Sequence, residues 1–155
     1  MKAFQDCYAG ELAHCYGCGS NNEHGHQLKS YWNGDSTIAR FTPQAYHTAI
    51  PGYVYGGLIA SLIDCHGTGT AAAAVAKAQG RALDSEPAIR FVTASLKVDY
   101  LAPTPIGIEL VLHGEVIEIG ERKVIVGVSV VADGKSCAKG TVIAVVMPRH
   151  MMAQP

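Results

Sequence analysis

Gly56-Gly57-Leu58-Ile59-Ala60-Ser61-Leu62-Ile63-Asp64-Cys65-His66-Gly67-Thr68-Gly69-Thr70-Ala71-Ala72-Ala73-Ala74-Val75-Ala76-Lys77 is the stretch that decides the fold. Its apolar residues at 58, 59, 62 and 63 recur at helical spacing, and its second half is alanine, the strongest helix former. The pattern predicts one helix from Gly56 to about Lys77, buried along most of its length. Gly67 and Gly69 each weaken such a helix by roughly 1 kcal/mol relative to alanine, so they are read as marks of close backbone approach to another chain or helix. Gln79-Gly80 ends the run, and residues 80–87 read as a polar connector.

Downstream of Pro87 the period changes. Ala88 to Leu101, Gly107 to Ile119, Arg122 to Ala132 and Ser136 to Met147 are β-rich runs separated by Pro103-Thr104-Pro105, Gly120-Glu121 and Asp133-Gly134. Asp-Gly between two such runs is a strong hairpin signal. Upstream, Ser36 to Thr42 reads as a short strand stopped by Pro43, and residues 1–35 as an irregular lead-in ending in the turn-like Asn33-Gly34-Asp35-Ser36. A strand, a long helix and four long strands make an α+β pattern in which the sheet must cover the helix. No internal repeat is visible. One domain spanning 1–155 is expected, with a core at 36–147 and a tail at 148–155.

The chain has 155 residues, 48% of them hydrophobic, which is enough to bury a core without a staple. Twelve Lys+Arg stand against thirteen Asp+Glu with no basic run, so nucleic acid is not an expected partner. No eighteen-residue apolar stretch free of charge occurs, and Met1-Lys2-Ala3-Phe4-Gln5-Asp6 lacks an apolar region behind its lysine. The expectation is a cytoplasmic protein with no membrane partner. Five cysteines, Cys7, Cys15, Cys18, Cys65 and Cys137, are an odd set expected to stay reduced. Cys15-x2-Cys18 followed by His24 and His26 has spacing that suits zinc. Four ligands so close in sequence would form a very tight knuckle, so no metal is expected and the two thiols are read as packing residues.

Asp64 is the one acidic group within the apolar helix. Residues three and four apart share a helical face, so Ser61, Asp64 and Thr68 form a polar stripe with Gly57 in line. A buried carboxylate needs hydrogen bonds, and facing solvent or bonding to Ser61 or Thr68 would satisfy it. Asp64-Cys65-His66 is not a relay, because successive helical side chains diverge by about 100°. Cys65 is expected to be a core thiol and His66 a satisfied surface or interface histidine. Gly56-Gly57 opens the helix where free backbone N–H groups carry its positive end, a place where Gly57 N–H can hold a developing oxyanion. Seven residues at 1.5 Å rise put Gly57 about 10 Å from Asp64 along the helix, too far to act on one carbonyl. If both act on one bond they come from two subunits with antiparallel helices, which implies a homodimer with composite sites.

Pro51-Gly52-Tyr53-Val54-Tyr55-Gly56-Gly57-Leu58-Ile59-Ala60-Ser61-Leu62-Ile63-Asp64 resembles the PG-x-V-H-G-G-x-x-A-x-x-x-D stretch of hotdog-fold acyl-CoA thioesterases of the PaaI type. Cys15-Tyr16-Gly17-Cys18-Gly19 with Gly25 and Leu28, and Val98-Asp99-Tyr100-Leu101-Ala102-Pro103, resemble two further features of that family in the same order. The resemblance implies a five- or six-stranded antiparallel sheet around the long helix, a dimer or dimer of dimers with a continuous sheet, and hydrolysis of acyl-CoA thioesters. It implies Asp64 as general base or nucleophile and Gly57 as backbone donor to the thioester oxygen, with no cofactor. Tyr55, Gly56, Ser61, Thr68 and His47 are the expected substrate-binding positions. Tyr55 stands where the family has His, and a phenol donates a hydrogen bond but does not titrate near neutrality. Ala49 stands near the place of an Asn found in some relatives, with His47 as a candidate substitute. No residue for coenzyme A is implied, although Arg90, Lys97 and Arg122-Lys123 are available for its phosphates. The rival reading is a non-catalytic acyl-CoA or aromatic-ligand binding protein that has lost the family His. A dehydratase of related shape ranks third, because it needs a His paired with a carboxylate.

Overall fold

In the computed structural model, residues 1–152 are described. The sequence pattern resolves into one long helix, α1 (Gly56–Ala78), and six strands: β1 (Ser30–Asn33), β2 (Ser36–Phe41), β3 (Phe91–Tyr100), β4 (Leu110–Ile119), β5 (Lys123–Ala132) and β6 (Lys135–Val146). A short helix, α2 (Arg149–Met152), follows, and the last three residues of the expected 148–155 tail lie outside the described residues. The sheet runs in the order β1-β2-β4-β5-β6-β3, antiparallel at every pairing. This is the hotdog arrangement, with the sheet wrapped around α1.

The period of the sequence explains the layers. Along β5 every second residue, from Val124 to Ala132, points into the core, and the residues between face outward. Leu110, Leu112, Val126, Val130 and Val142 meet Leu62 and Ile63 of α1, all essentially inaccessible. Gly67 marks a close approach, though to a strand of the sheet rather than to another chain or helix: a Cβ there would lie 2.5 Å from the Val142 side chain, so glycine lets α1 seat on β6. The Asp133-Gly134 turn takes positive φ at both residues, as a two-residue hairpin of this hand requires. By length and hydropathy α1 would pass for a membrane span, yet 72% of that window is buried inside the fold.

Two expectations need correction. The lead-in is not wholly irregular, since Ser30–Asn33 pairs with β2 through the Asn33–Ser36 turn. Its start is fixed by Gln5, whose Oε1 accepts the Ser30 N–H at 2.7 Å while its Nε2 donates to Ser30 Oγ at 3.2 Å. His66 is not at a surface but fully buried. Its ring nitrogens lie 2.9 Å from Ser30 Oγ and 3.2 Å from Thr37 Oγ1, and Thr37 in turn meets Thr70 at 2.7 Å. Burial is the main cause that pushes the His66 pKa down to about 4. A β-strand threonine and an N-terminal serine, remote in sequence, supply the partners that a solvent-facing histidine would not need.

Candidate active site

The start of α1 is held from both sides. Tyr55 N–H donates to the His47 carbonyl at 2.8 Å, and Val54 N–H to the Thr104 carbonyl at 2.8 Å. Leu58 and Ile59 N–H both turn back to the Tyr55 carbonyl, at 3.1 and 3.4 Å. Gly56 and Gly57 N–H therefore remain as donors without acceptors in the helix, at its positive end. Tyr100 O–H on β3 donates to the Gly56 carbonyl at 2.7 Å. The Tyr55 ring lies against Gly57: a Cβ there would be 2.4 to 2.7 Å from the ring and its hydroxyl, so only glycine admits it. The phenol and the Gly57 N–H thus share one exposed corner. Thr104, whose buried hydroxyl has no hydrogen-bond partner among the described residues, lines the adjoining hollow of about 320 Å³ with Tyr53, Gly56, Ile59 and Tyr100.

Asp64, two turns along, is half-buried. Thr93 on β3 donates its hydroxyl to Asp64 Oδ1. The carboxyl is held above its ordinary pKa chiefly by burial, opposed by the Thr93 hydrogen bond and reinforced by the nearby Cys15 sulfur. Ser61 and Thr68 share its face, but their hydroxyl protons go to the helix backbone: Ser61 to the Leu58 carbonyl at 2.7 Å, Thr68 to those of Asp64 and Cys65 at 3.1 and 3.3 Å. The group that orients the carboxylate is Thr93, which sequence reasoning passed over. Asp64, Thr68, Arg90 and Thr93 border a second hollow of about 260 Å³ that shares no residue with the first. A larger hollow, about 440 Å³ and lined by Lys97, His113, Glu115 and Lys139 among others, lies on the sheet face turned away from α1.

His47 supports Tyr55 through its carbonyl, while its ring is otherwise engaged. Gln44 N–H donates to His47 Nδ1 at 2.9 Å, and the imidazole packs at 4.5 Å from the Tyr46 ring and 5.6 Å from that of His26. Burial holds the pKa of both histidines below the usual range, with their mutual repulsion adding to it at His26. His26 and the exposed His24 do not gather around Cys15 and Cys18. Cys65 of α1 does: the three sulfurs lie within 4.8 Å of one another. Hydrogen bonds from the Cys18 and Cys65 thiols favour the Cys15 thiolate, and backbone N–H groups of Cys18 and Gly17 add to this.

Comparisons with known proteins agree with this architecture. A family model described as the thioesterase superfamily matches residues 51–138. An acyl-coenzyme A thioesterase of Xenopus laevis is 34% identical over 87 residues, which are 56% of this chain and 33% of that protein. The chain thus spans about a third of the length of this curated relative. The solved structure of a thioesterase superfamily protein from Shewanella loihica is 54% identical, covers 82% of this chain and 96% of its own, and superposes with a TM-score of 0.67. The PaaI protein of the E. coli phenylacetic acid degradation operon, 14% identical over 79% of this chain and 81% of its own, shares the fold with a TM-score of 0.64.

Proposed function

This chain belongs to the thioesterase superfamily, and from that premise we propose that it hydrolyses acyl-CoA thioesters as a homodimer whose sites each use Gly57 of one subunit and Asp64 of the other. One observation carries the reading. Helix α1 is buried on nearly every side, yet Gly57, Ala60, Ser61, Asp64 and Thr68 stay partly open along a single stripe. That stripe holds both chemical groups, about 10 Å apart along the helix. Beside it runs β3, a ten-residue edge strand with Ala94 to Lys97 exposed. A long unpaired edge is a ready template for another strand. Pairing β3 with its counterpart in a second copy continues the sheet, lays the two helices antiparallel and joins the two separate hollows into one groove. A dimer of dimers, paired through the outer sheet face, leaves this site unaltered.

The thioester carbonyl oxygen accepts hydrogen bonds from Gly57 N–H and the Tyr55 phenol at the positive end of α1. Asp64 of the other subunit takes a proton from water as its oxygen attacks the carbonyl carbon, or attacks that carbon directly. The C–S bond breaks and coenzyme A leaves as its thiolate and is protonated; on the direct route the acyl group is left as an anhydride on Asp64, which water then cleaves, and on either route the free acid is released. Thr93 aims the carboxylate, and the pKa raised by burial makes it a stronger base than a solvated aspartate. Ser61 and Thr68 form the wall of the groove, Gly56 lets the substrate approach the backbone, and His47 braces Tyr55. The cytoplasm is the proposed setting, in keeping with five free cysteines.

Free-thiol release from short-chain, long-chain and aryl acyl-CoAs tests the reading, with Asp64→Asn beside the wild type. Loss of about 10²-fold or more in the variant is expected; unchanged turnover contradicts it. Tyr55 favours one other reading, a binding protein without catalysis. Under that reading Tyr55→His raises turnover strongly, whereas under the thioesterase reading the gain is modest.

A further inference from the structure

We propose that Cys15, Cys18 and Cys65 form a three-thiolate site for a soft divalent cation, zinc above all, which clips the N-terminal segment to α1 beside Asp64. The Cys15 and Cys65 sulfurs are 3.8 Å apart, and all three lie within 4.8 Å of one another. Two sulfurs on a tetrahedral zinc with bonds of about 2.3 Å are separated by about 3.8 Å. All five cysteines are free thiols, so the cluster is not a disulfide.

The local sequence builds this cluster. Cys15-Tyr16-Gly17-Cys18-Gly19 is a tight turn closed by Gly19 N–H on the Cys15 carbonyl at 2.7 Å. Its outer side is tied down by His26 N–H on Tyr16 and Leu28 N–H on Gly17, at 2.9 and 3.1 Å. A Cβ at Gly17 would lie 2.3 Å from Cys65 Sγ, and one at Gly19 2.4 Å from the Ala13 carbonyl oxygen. Both glycines are therefore needed to bring the pair of thiols down onto the helix. Three soft ligands on a borderline-soft ion suit zinc over magnesium or calcium.

Charge and access fit as well. Three thiolates around a dication carry a net charge of −1, and Arg90, whose guanidinium stacks 3.6 Å over the Tyr8 ring, borders the same hollow. Cys18 and Cys65 are buried while Cys15 is open on one side, so the fourth ligand comes from the solvent of the hollow that Asp64 and Thr93 share. As each Zn–S bond forms, the proton of that thiol passes to solvent. The site differs from the Cys-Cys-His-His quartet that spacing suggests, because His26 is stacked among Tyr16, Phe41 and His47.

Metal titration of the full, reduced chain tests the proposal without any substrate, so its outcome is separate from that of the thioesterase assay. One Zn²⁺ per chain is expected by native mass spectrometry, and Co²⁺ should give thiolate charge-transfer absorption with tetrahedral ligand-field bands. Cys15→Ser, Cys18→Ser and Cys65→Ser should each weaken binding by about 100-fold or more, while Cys137→Ser and His26→Ala leave it unchanged. If a serine variant fails to fold, alkylation of the wild type decides: zinc should protect the exposed Cys15 but not Cys7. No stoichiometric metal at micromolar zinc, equal affinity in Cys65→Ser, or no protection of Cys15 would overturn it.

Discussion

Thr93, on the edge strand β3, donates its hydroxyl to the carboxylate of Asp64, 29 residues earlier on the central helix. The bond crosses from sheet to helix at the place where β3 shifts register against β6, between Thr93 and Ser95. It stabilises the ionised form and partly offsets what burial does to the same carboxyl.

Removing that donor has a signed consequence. Thr93→Val leaves burial and the nearby Cys15 sulfur unopposed, so the acidic limb of the kcat/KM profile should move to higher pH. In the wild type that limb should already lie above the ordinary aspartate range. Profiles from pH 4 to 9 of both proteins check this, and a limb that Thr93→Val leaves in place would deny Thr93 its positioning role.

Stability carries the opposite sign from activity. For a carboxyl whose folded pKa is raised, the favourable contribution is present below the unfolded pKa of about 3.9 and is lost as pH rises through the folded value. At neutral pH the ionised Asp64 therefore weakens the fold. Asp64→Asn should raise Tm at pH 7.5 and lose most of that advantage near pH 4, measured by thermal unfolding at both values. A variant less stable than wild type at pH 7.5 would contradict the burial argument.

The helix start gives a steric test. Gly57→Ala keeps the backbone N–H but sets a Cβ inside the Tyr55 ring. The ring must swing away, and kcat should fall about 10-fold or more with little change in Tm. Tyr55→Phe should lose a comparable amount of kcat with KM nearly unchanged, because only the phenol donor is gone. Full activity in both variants would remove Tyr55 from the site.

His66 sets the acid limit of the fold. Its folded pKa of about 4 lies below the ordinary 6.5. Above pH 6.5 it is neutral in both states; below, the unfolded chain takes a proton that the folded state refuses. Stability should fall by about 1.4 kcal/mol per pH unit, roughly 3 kcal/mol in all, between pH 6.5 and 4. Urea midpoints over that range, with ring NMR showing His66 still neutral at pH 5, check the point; a protonated His66 at pH 5 would contradict it.

The fold was largely legible because its two periods are clean. The alanine-rich run ends within a residue of where it was expected, and β3 and β4 each begin three residues later than expected, β4 because Ile106 and Gly107 form a turn with positive φ at Gly107. The strand Ser30–Asn33 escaped notice because four residues carry no period, and its hold on Gln5 is a contact across 25 residues. The site was legible only where it is local. Asp64 and the Gly56-Gly57 start stand out on one helix, but Thr93 is one polar strand residue among several, and nothing near it in sequence names its partner. Cys65 is the core thiol that its place on the helix implies, but the sulfurs beside it, those of Cys15 and Cys18, come from a turn almost fifty residues away, which spacing does not reveal. Ser61 and Thr68 share the right face, yet spacing does not reveal that a helical hydroxyl turns to the carbonyl of the preceding turn.

Subunit complementation tests the composite site most directly. Asp64→Asn and Gly57→Val chains, each inactive alone, are mixed, dissociated and reassembled, and acyl-CoA hydrolysis is measured. A mixed dimer holds one intact site, built from the Gly57 of the first chain and the Asp64 of the second. Random reassortment should therefore restore about a quarter of wild-type activity. No recovery, with mixed dimers shown to have formed, would contradict a site shared between two subunits.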